Sequence, residues 1–246
     1  MPDDLVKMPI INDHEALCRT FRQLIGPLAR EYGHSDDDFL SFLETMGFFL
    51  APSSRDWHLN IIGGLVLHSL NVHMAVRDLV ALANINVDDV PPCAGPADFA
   101  RFNRGLNALS FCALLHDLCK CRMYYPGYKW FKADTPGAKW EKKPTWVIDD
   151  RFPLGHGEKS LYLLTQHFTL SEEMAAAVRW HMGPFDPSAM DGLTKFSYQA
   201  AVAKYPMVSI LFAADYIATH VLERDYVAKE TVLVKAGPAF YDVTRD

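Results

Sequence analysis

The residues best equipped for chemistry sit in the stretch Ala113-Leu114-Leu115-His116-Asp117-Leu118-Cys119-Lys120. His116 offers a neutral imidazole nitrogen and Asp117 a carboxylate, and both are ligands for borderline divalent metals. Lys120 adds an ammonium three residues on. Adjacent residues of an α-helix point about 100° apart. One ion can therefore take both His116 and Asp117 only near a helix end or kink, or the carboxylate bridges two ions. A His-Asp pair alone is weak evidence, and its company strengthens it. His68 lies in Gly63-Gly64-Leu65-Val66-Leu67-His68, His156 in Leu154-Gly155-His156-Gly157, His181 in Arg179-Trp180-His181-Met182 and Asp215 in Phe212-Ala213-Ala214-Asp215-Tyr216. Each is a polar group within or beside an apolar helical pattern. Buried polar groups need partners, and a shared ion satisfies several at once.

The elements that must position these residues read mostly as helices. Ala16, Leu17, Phe21, Leu24, Ile25 and Leu28 fall near helical spacing and predict an amphipathic helix over 11–32, with Gly26-Pro27 as a candidate kink. Ser35 before three aspartates is an N-cap for a helix to about Phe49. A loop over 51–60 leads into a long helix, 61–84, where Gly63 and Gly64 permit close approach at the start. Breakers mark a second loop over 85–100. The His-Asp helix follows, from Pro96 or Ala97 to Lys120. Further helices are expected from His156 to His167, from Ser171 to His181, and over 205–224. His14, His34 and His167 read as surface residues and His73 as structural; Asp186 and Asp191, on the loop after His181, are within reach of the site but read as surface residues. Thr231-Val232-Leu233-Val234 reads as a short strand or arm.

Between 122 and 155 the helical pattern stops. Tyr124, Tyr125, Tyr128, Trp130, Phe131, Trp140, Trp146 and Phe152 interleave with Lys129, Lys132, Lys139, Lys142 and Lys143. Thr135-Pro136-Gly137 is a turn signal between strand-like runs at 128–133 and 139–148, which predicts a β-hairpin. Two roles stay open. The aromatics and lysines stack a base and bind phosphate, with Lys129 and Trp130 as candidate substrate contacts, or the hairpin packs its aromatics on the domain and leaves its lysines in water. Either way it is expected to wall the site.

Composition sets the outer bounds. The chain has 246 residues, half of them hydrophobic, enough for a full core. A formal net charge of −6 argues against broad nucleic-acid binding. Five cysteines without a framework spacing predict reduced thiols in a cytoplasmic protein, and Cys119 and Cys121 read as structural. The acidic start, Met1-Pro2-Asp3-Asp4, does not read as a signal peptide, and no apolar run is expected to reach the roughly 20 residues of a membrane span.

The ordered set of His68, His116-Asp117 with Lys120, His156, His181 and Asp215 resembles the HD-domain metal-dependent phosphohydrolase superfamily, over residues 58–225. The chain is similar in its 122–155 insertion to HD-domain proteins of uncharacterised function, many of them bacterial or phage-derived, a likeness that gives no substrate. The resemblance implies a mainly α-helical HD-domain bundle over 51–225 with the 122–155 insertion; outside its motifs, the N-terminal helices over 1–50 are expected to pack on the core or form an oligomer contact, and 226–246 reads as a tail. It implies one divalent ion on His68, His116, Asp117 and Asp215, and a second on Asp117, His156 and His181. The mixed donors suit Mn²⁺, Fe²⁺, Co²⁺, Ni²⁺ or Zn²⁺. Such ions supply hydroxide from water near neutral pH; Asp117 and Lys120 are then the catalytic candidates, Lys120 neutralising phosphate charge. His58 matches a histidine that related domains carry shortly before the first ligand, and it also reads as a plain loop residue. The Gly-Tyr-Pro signature of the cyclic-dinucleotide phosphodiesterases is missing, since Pro126-Gly127-Tyr128 differs and Met182 follows His181. The large dNTP triphosphohydrolases fit the extra histidines poorly. The expected activity is hydrolysis of a phosphoester in a nucleotide or small phosphorylated substrate. The alternatives are a 3′-end exonuclease on single strands, or a nucleotide-binding module without turnover.

Overall fold

The computed structural model describes residues 5–33, 35–83, 96–135 and 137–245. The expected loop at 85–100 therefore falls largely outside the described residues, as do His34 and Pro136. Helices dominate. A short strand β1 (Leu5–Ile10) precedes α1 (His14–Glu31) and α2 (Asp36–Thr45). The Ser35 hydroxyl accepts from the Asp38 N–H as an N-cap, as its sequence context predicts, and α1 runs through Pro27. Then come α3 (Gly64–Ala83) and α4 (Pro96–Leu115), a 3₁₀ turn at Leu118–Lys120, and the hairpin of β2 (Tyr124–Lys132) and β3 (Trp140–Ile148). The chain continues through α5 (His156–Thr165), α6 (Glu172–Arg179), α7 (Gly192–Lys204) and α8 (Pro206–Ile217), which extends into a π-helical turn at Ala218–Leu222. β4 (Glu230–Lys235) and a 3₁₀ segment at Gly237–Arg245 complete it.

One apolar core joins α1 and α2 to α3, α4, α5, α6 and α8. Phe21, Phe39, Phe48, Phe111 and Leu65 are all fully buried in it. Each such side chain stabilises the fold by about 1.5–3 kcal/mol of burial. α3 lies at the centre, packed on α4 and α8. Its stretch Gly64–Leu82 is long and apolar enough to cross a membrane, with a mean hydropathy of 1.3. This corrects the expectation that no run reaches span length. A helix buried by neighbours on several sides carries the same apolar composition as one buried by lipid.

A second apolar cluster joins the strands. β1 pairs antiparallel with β4, placing Val6 opposite Val234, and β2 pairs with β3, placing Tyr125 opposite Val147. Val6, Met8, Ile62, Tyr124, Tyr125, Trp146, Phe240 and Tyr241 pack between the two ribbons. The expected tail is thus half of a ribbon. β1 and α7 were not anticipated. β1 finds its partner more than 220 residues away, and α7 is mostly exposed, so neither leaves a local period.

Three expected surface residues are not on the surface. His14 is half-buried and bonded to the Phe49 carbonyl at 2.7 Å. His167 is half-buried, its ring 4.0 Å from that of Phe42. Asp186 is buried against Arg179 and Ser188. In each case a neighbouring helix or turn covers a residue whose own stretch reads as polar. His73 is buried on α3 and, as expected, lies outside the cluster described below.

Candidate metal centre

Helix ends build the centre. α4 stops at Leu115, so His116 and Asp117 leave helical geometry and both turn inward, Asp117 at φ −106° and ψ 24°. The 3₁₀ turn then brings Lys120 back onto Asp117, Nζ to Oδ2 2.5 Å. His68 comes from the second turn of α3, His156 from the first residue of α5, His181 from just beyond α6, and Asp215 from the last turn of α8. Two glycines let the backbones close in. A Cβ on Gly64 would meet the Leu59 carbonyl oxygen at 2.1 Å, so the 51–60 loop rests directly on the start of α3. A Cβ on Gly157 would meet the Arg179 carbonyl oxygen at 2.0 Å, so only glycine brings His156 and His181 together, their rings 5.2 Å apart.

Asp117, only 2% exposed, is the hub. Its Oδ2 lies 3.3 Å from His68 Nε2 and 3.4 Å from His116 Nε2. Its Oδ1 lies 2.7 Å from His156 Nε2 and 3.4 Å from His181 Nε2. Asp215 Oδ1 approaches His68 Nε2 at 3.2 Å.

The ring orientations are set from behind. His116 Nδ1 donates to the Ala113 carbonyl at 2.8 Å, and His181 Nδ1 to the Val178 carbonyl at 2.7 Å. Both carbonyls belong to the last turn of a helix, where they have no intrahelical partner. A carbonyl only accepts, so Nδ1 carries the hydrogen and a neutral ring presents the Nε2 lone pair to the centre. His68 Nδ1 is held by Glu223, at 3.0 and 3.2 Å from its two oxygens, and Asn71 Nδ2 donates to Glu223 Oε1 at 3.1 Å. The Nε2 atoms of His68, His116 and His181 are buried and make no hydrogen bond. Imidazoles oriented by carbonyl or carboxylate partners, with the other nitrogen free, are the arrangement of metal-ligating histidines. Buried His, Asp and Cys groups here could hold a metal ion.

The charge balance agrees. Asp117, Asp215 and Glu223 outnumber Lys120, an excess of negative charge that suits a dication. Burial works to raise the Asp117 carboxyl, but Lys120 and His116 hold it well below the usual carboxylate range. Burial likewise opposes ionisation of Asp215 and Glu223, and His68 holds both low. Burial alone would lower His68, yet Glu223, Asp117 and Asp215 push it well above the ordinary imidazole value. His156 is raised to about 10 against burial, by Cys119 and Asp117. Burial pulls His181 down. Lys120 is held above its ordinary value by Asp117 despite burial.

A cavity of about 400 Å³ opens onto the centre. Lys120, His156 and Asp215 stand at its floor, with Tyr124, Phe185, Phe212 and Tyr216 among its walls. His58, Thr219 and His220 connect it to a second cavity of about 660 Å³. The larger cavity is lined by Glu223 but by none of Lys120, His156 and Asp215, so the smaller one is the candidate for chemistry.

The structure thus gathers His68, His116, Asp117, Lys120, His156, His181 and Asp215 from five separate segments. His58 stands at the rim, its Nε2 3.7 Å from Glu223, and burial lowers it to about 4, so it is neutral at pH 7. Lys129 and Trp130 are not gathered. They lie on the exposed outer half of the hairpin, Trp130 60% exposed, and line neither cavity. Pairing with β3 carries that half away from the domain, and only the hairpin's base, at Tyr124, walls the site. Sequence reasoning missed Glu223, and took Cys119, whose Sγ lies 3.3 Å from His156 Nδ1, as merely structural. A carboxylate at the end of the apolar run after Asp215 was the available signal for Glu223. No family model, no curated protein and no solved structure matches this chain.

Proposed function

We propose that this protein is a metal-dependent phosphohydrolase of HD-domain architecture, acting on a phosphoester of a nucleotide or a related small phosphorylated substrate. The observation that carries the reading is one buried carboxylate, Asp117, facing two sets of imidazoles: the Nε2 atoms of His68, His116 and His181 converge on it without a hydrogen bond, and His156 Nε2 is bonded to it at 2.7 Å. One divalent ion would be held by His68, His116, Asp117 and Asp215, and a second by Asp117, His156 and His181. The donors suit Mn²⁺, Fe²⁺, Co²⁺, Ni²⁺ or Zn²⁺. Such ions, when bound, acidify water and draw charge from a phosphoryl oxygen.

The chain's own groups supply the rest. Lys120, anchored by Asp117 and lining the cavity, offers an ammonium to the substrate phosphate. Phe185 and Tyr216 are stacked, 5.9 Å apart and 8° from parallel, and with Phe212 make an apolar wall that limits water and suits a flat ring. Ser53 Oγ, buried in the same wall without a hydrogen bond, is a further donor for a phosphate or sugar. The exonuclease alternative uses the Lys/aromatic hairpin to hold a strand, and Lys129 and Trp130 on it line neither cavity. The four cysteines among the described residues are free and buried, which fits a reducing, cytoplasmic setting.

The test is metal content on protein purified without chelator, together with a panel of phosphatase and phosphodiesterase substrates. Near two ions per chain with Mn²⁺-stimulated turnover is the expected result. Metal without turnover on any nucleotide or sugar phosphate would move the assignment to a binding module.

A further inference from the structure

We infer that Cys119 is a metal ligand through its thiolate, making the Oδ1 side of Asp117 a site of mixed sulfur, nitrogen and oxygen donors. The inference builds on the two-ion reading above. Cys119 Sγ lies 3.5 Å from His156 Nε2 and 3.9 Å from Asp117 Oδ1, and those two atoms are 2.7 Å apart. A tetrahedral ion with a metal–sulfur bond of about 2.3 Å and a metal–nitrogen bond of about 2.0–2.1 Å separates the two donors by about 3.6 Å. The sulfur therefore already stands at ligand spacing from the nitrogen. The sulfur is nearly equidistant from both nitrogens of the ring, 3.3 and 3.5 Å, so it stands over the ring face, and the His156 ring turns on metal loading to bring its Nε2 lone pair and the sulfur onto one ion.

Two further observations point the same way. His181 Nε2, fully buried and without a hydrogen bond, is aimed at the same Asp117 oxygen from 3.4 Å. The Cys119 backbone N–H is pinned by Ser160 Oγ at 3.1 Å, so the 3₁₀ turn and α5 jointly fix the sulfur beside His156. Cys121, two residues on, borders a different cavity with Arg122 and Tyr241, so the two thiols are not equivalent. On loading, the S–H bond breaks, sulfur keeps the electron pair and bonds the ion, and the proton leaves to solvent. A thiolate favours zinc, iron or cobalt over magnesium or manganese at this side.

The test is anaerobic cobalt titration of chelator-stripped full-length protein, read by near-ultraviolet absorbance. A thiolate-to-cobalt charge-transfer band is expected in the natural protein and in Cys121→Ser, and is expected to vanish in Cys119→Ser. Zinc affinity of one site should fall in Cys119→Ser by more than the ~10–100-fold typical of losing an outer-shell partner. Cobalt bound without the band, or a band that survives Cys119→Ser, overturns the ligand assignment and leaves the hydrolase reading intact. The band without turnover on any phosphoester keeps the ligand and removes the hydrolase. If no cobalt binds, the ligand assignment falls, and the substrate panel judges the hydrolase separately. The wild-type band needs no variant, so a Cys119→Ser protein that fails to fold leaves the test standing.

Discussion

Oδ2 of Asp117 faces His68 and His116, with Asp215 beside them, whereas Oδ1 faces His156, His181 and Cys119. The Oδ2 side is carried by α3, α4 and α8, three helices of the main core, and both its histidines are at most 1% exposed. The Oδ1 side is carried by the ends of shorter helices, and the His156 side chain is 31% exposed toward the cavity. The contrast teaches that one carboxylate joins a set of nitrogen and oxygen donors held by the main core helices, open to the cavity only at Asp215, to a set held by shorter helix ends, open to it at His156. Loss of a donor on the first side should cost folding as well as metal, and loss on the second mainly metal.

Removing the hub should have the largest effect. Asp117→Asn is expected to abolish bound metal and to reduce turnover by ~10³-fold or more, since both sides share the residue. It also strips the carboxylate from buried Lys120, at a cost of about 3–5 kcal/mol. Elemental analysis, turnover and thermal unfolding measured together check all three parts, and unchanged metal content would break the account of Asp117 as a bridge.

The two sides separate next. His116→Ala should lose metal and lower stability by about 1–3 kcal/mol, as for other disrupted buried networks. His156→Ala should reduce metal from near two ions per chain to near one with little change in melting temperature. Equal destabilisation by the two variants would erase the distinction. More subtly, Glu223→Gln should weaken the Oδ2-side ion by ~10–100-fold while sparing the other, because among the proposed ligands Glu223 holds only His68. Competition with a metal-indicator dye resolves the two affinities.

The pH dependence follows from the same groups. Asp117, Asp215 and Glu223 have depressed pKa values in the folded chain. Below the ordinary carboxylate values, near 4, the unfolded chain binds more protons, so metal-free protein loses this stability as pH falls through the depressed values. His68 is raised, so its contribution is complete below the ordinary imidazole value and is lost as pH rises through the raised one. Metal instead requires neutral imidazoles and is favoured as pH rises. The gap in melting temperature between loaded and stripped protein should therefore widen from pH 5 to pH 8, and a gap independent of pH would argue against histidine ligation. The smallest effect is expected far from both sides. Lys129→Ala and Trp130→Ala should change stability by less than about 0.5 kcal/mol and leave turnover of a small substrate unaltered. A marked loss of turnover, or of salt-sensitive single-strand binding, would restore the hairpin to the site.

How much of this was legible differs by residue. The six candidate ligands and Lys120 each stand within or beside an apolar helical pattern, and a helix period shows which polar residues face inward. Glu223 was hidden because it follows a π-helical turn, where the period changes. Cys119 was read as structural because Cys119 and Cys121 form Cys-x-Cys, which lacks the Cys-x-x-Cys spacing of a redox or metal motif. The hairpin's existence was legible from its turn signal and alternation, but not that Lys129 and Trp130 lie outside both cavities, since aromatic and basic content does not reveal which end of a hairpin meets the domain.

The sequence by itself determined the mainly helical class, most helix positions, the hairpin and the donor types available to the site, because side-chain periodicity, caps and donor types are local properties. The tertiary structure alone decided the pairing of β1 with β4, the division of Asp117 between two sides and the closeness of Cys119 to His156. These are contacts between segments far apart in the chain or at element ends, fixed by how backbones approach at Gly64 and Gly157, and no local pattern encodes such distances.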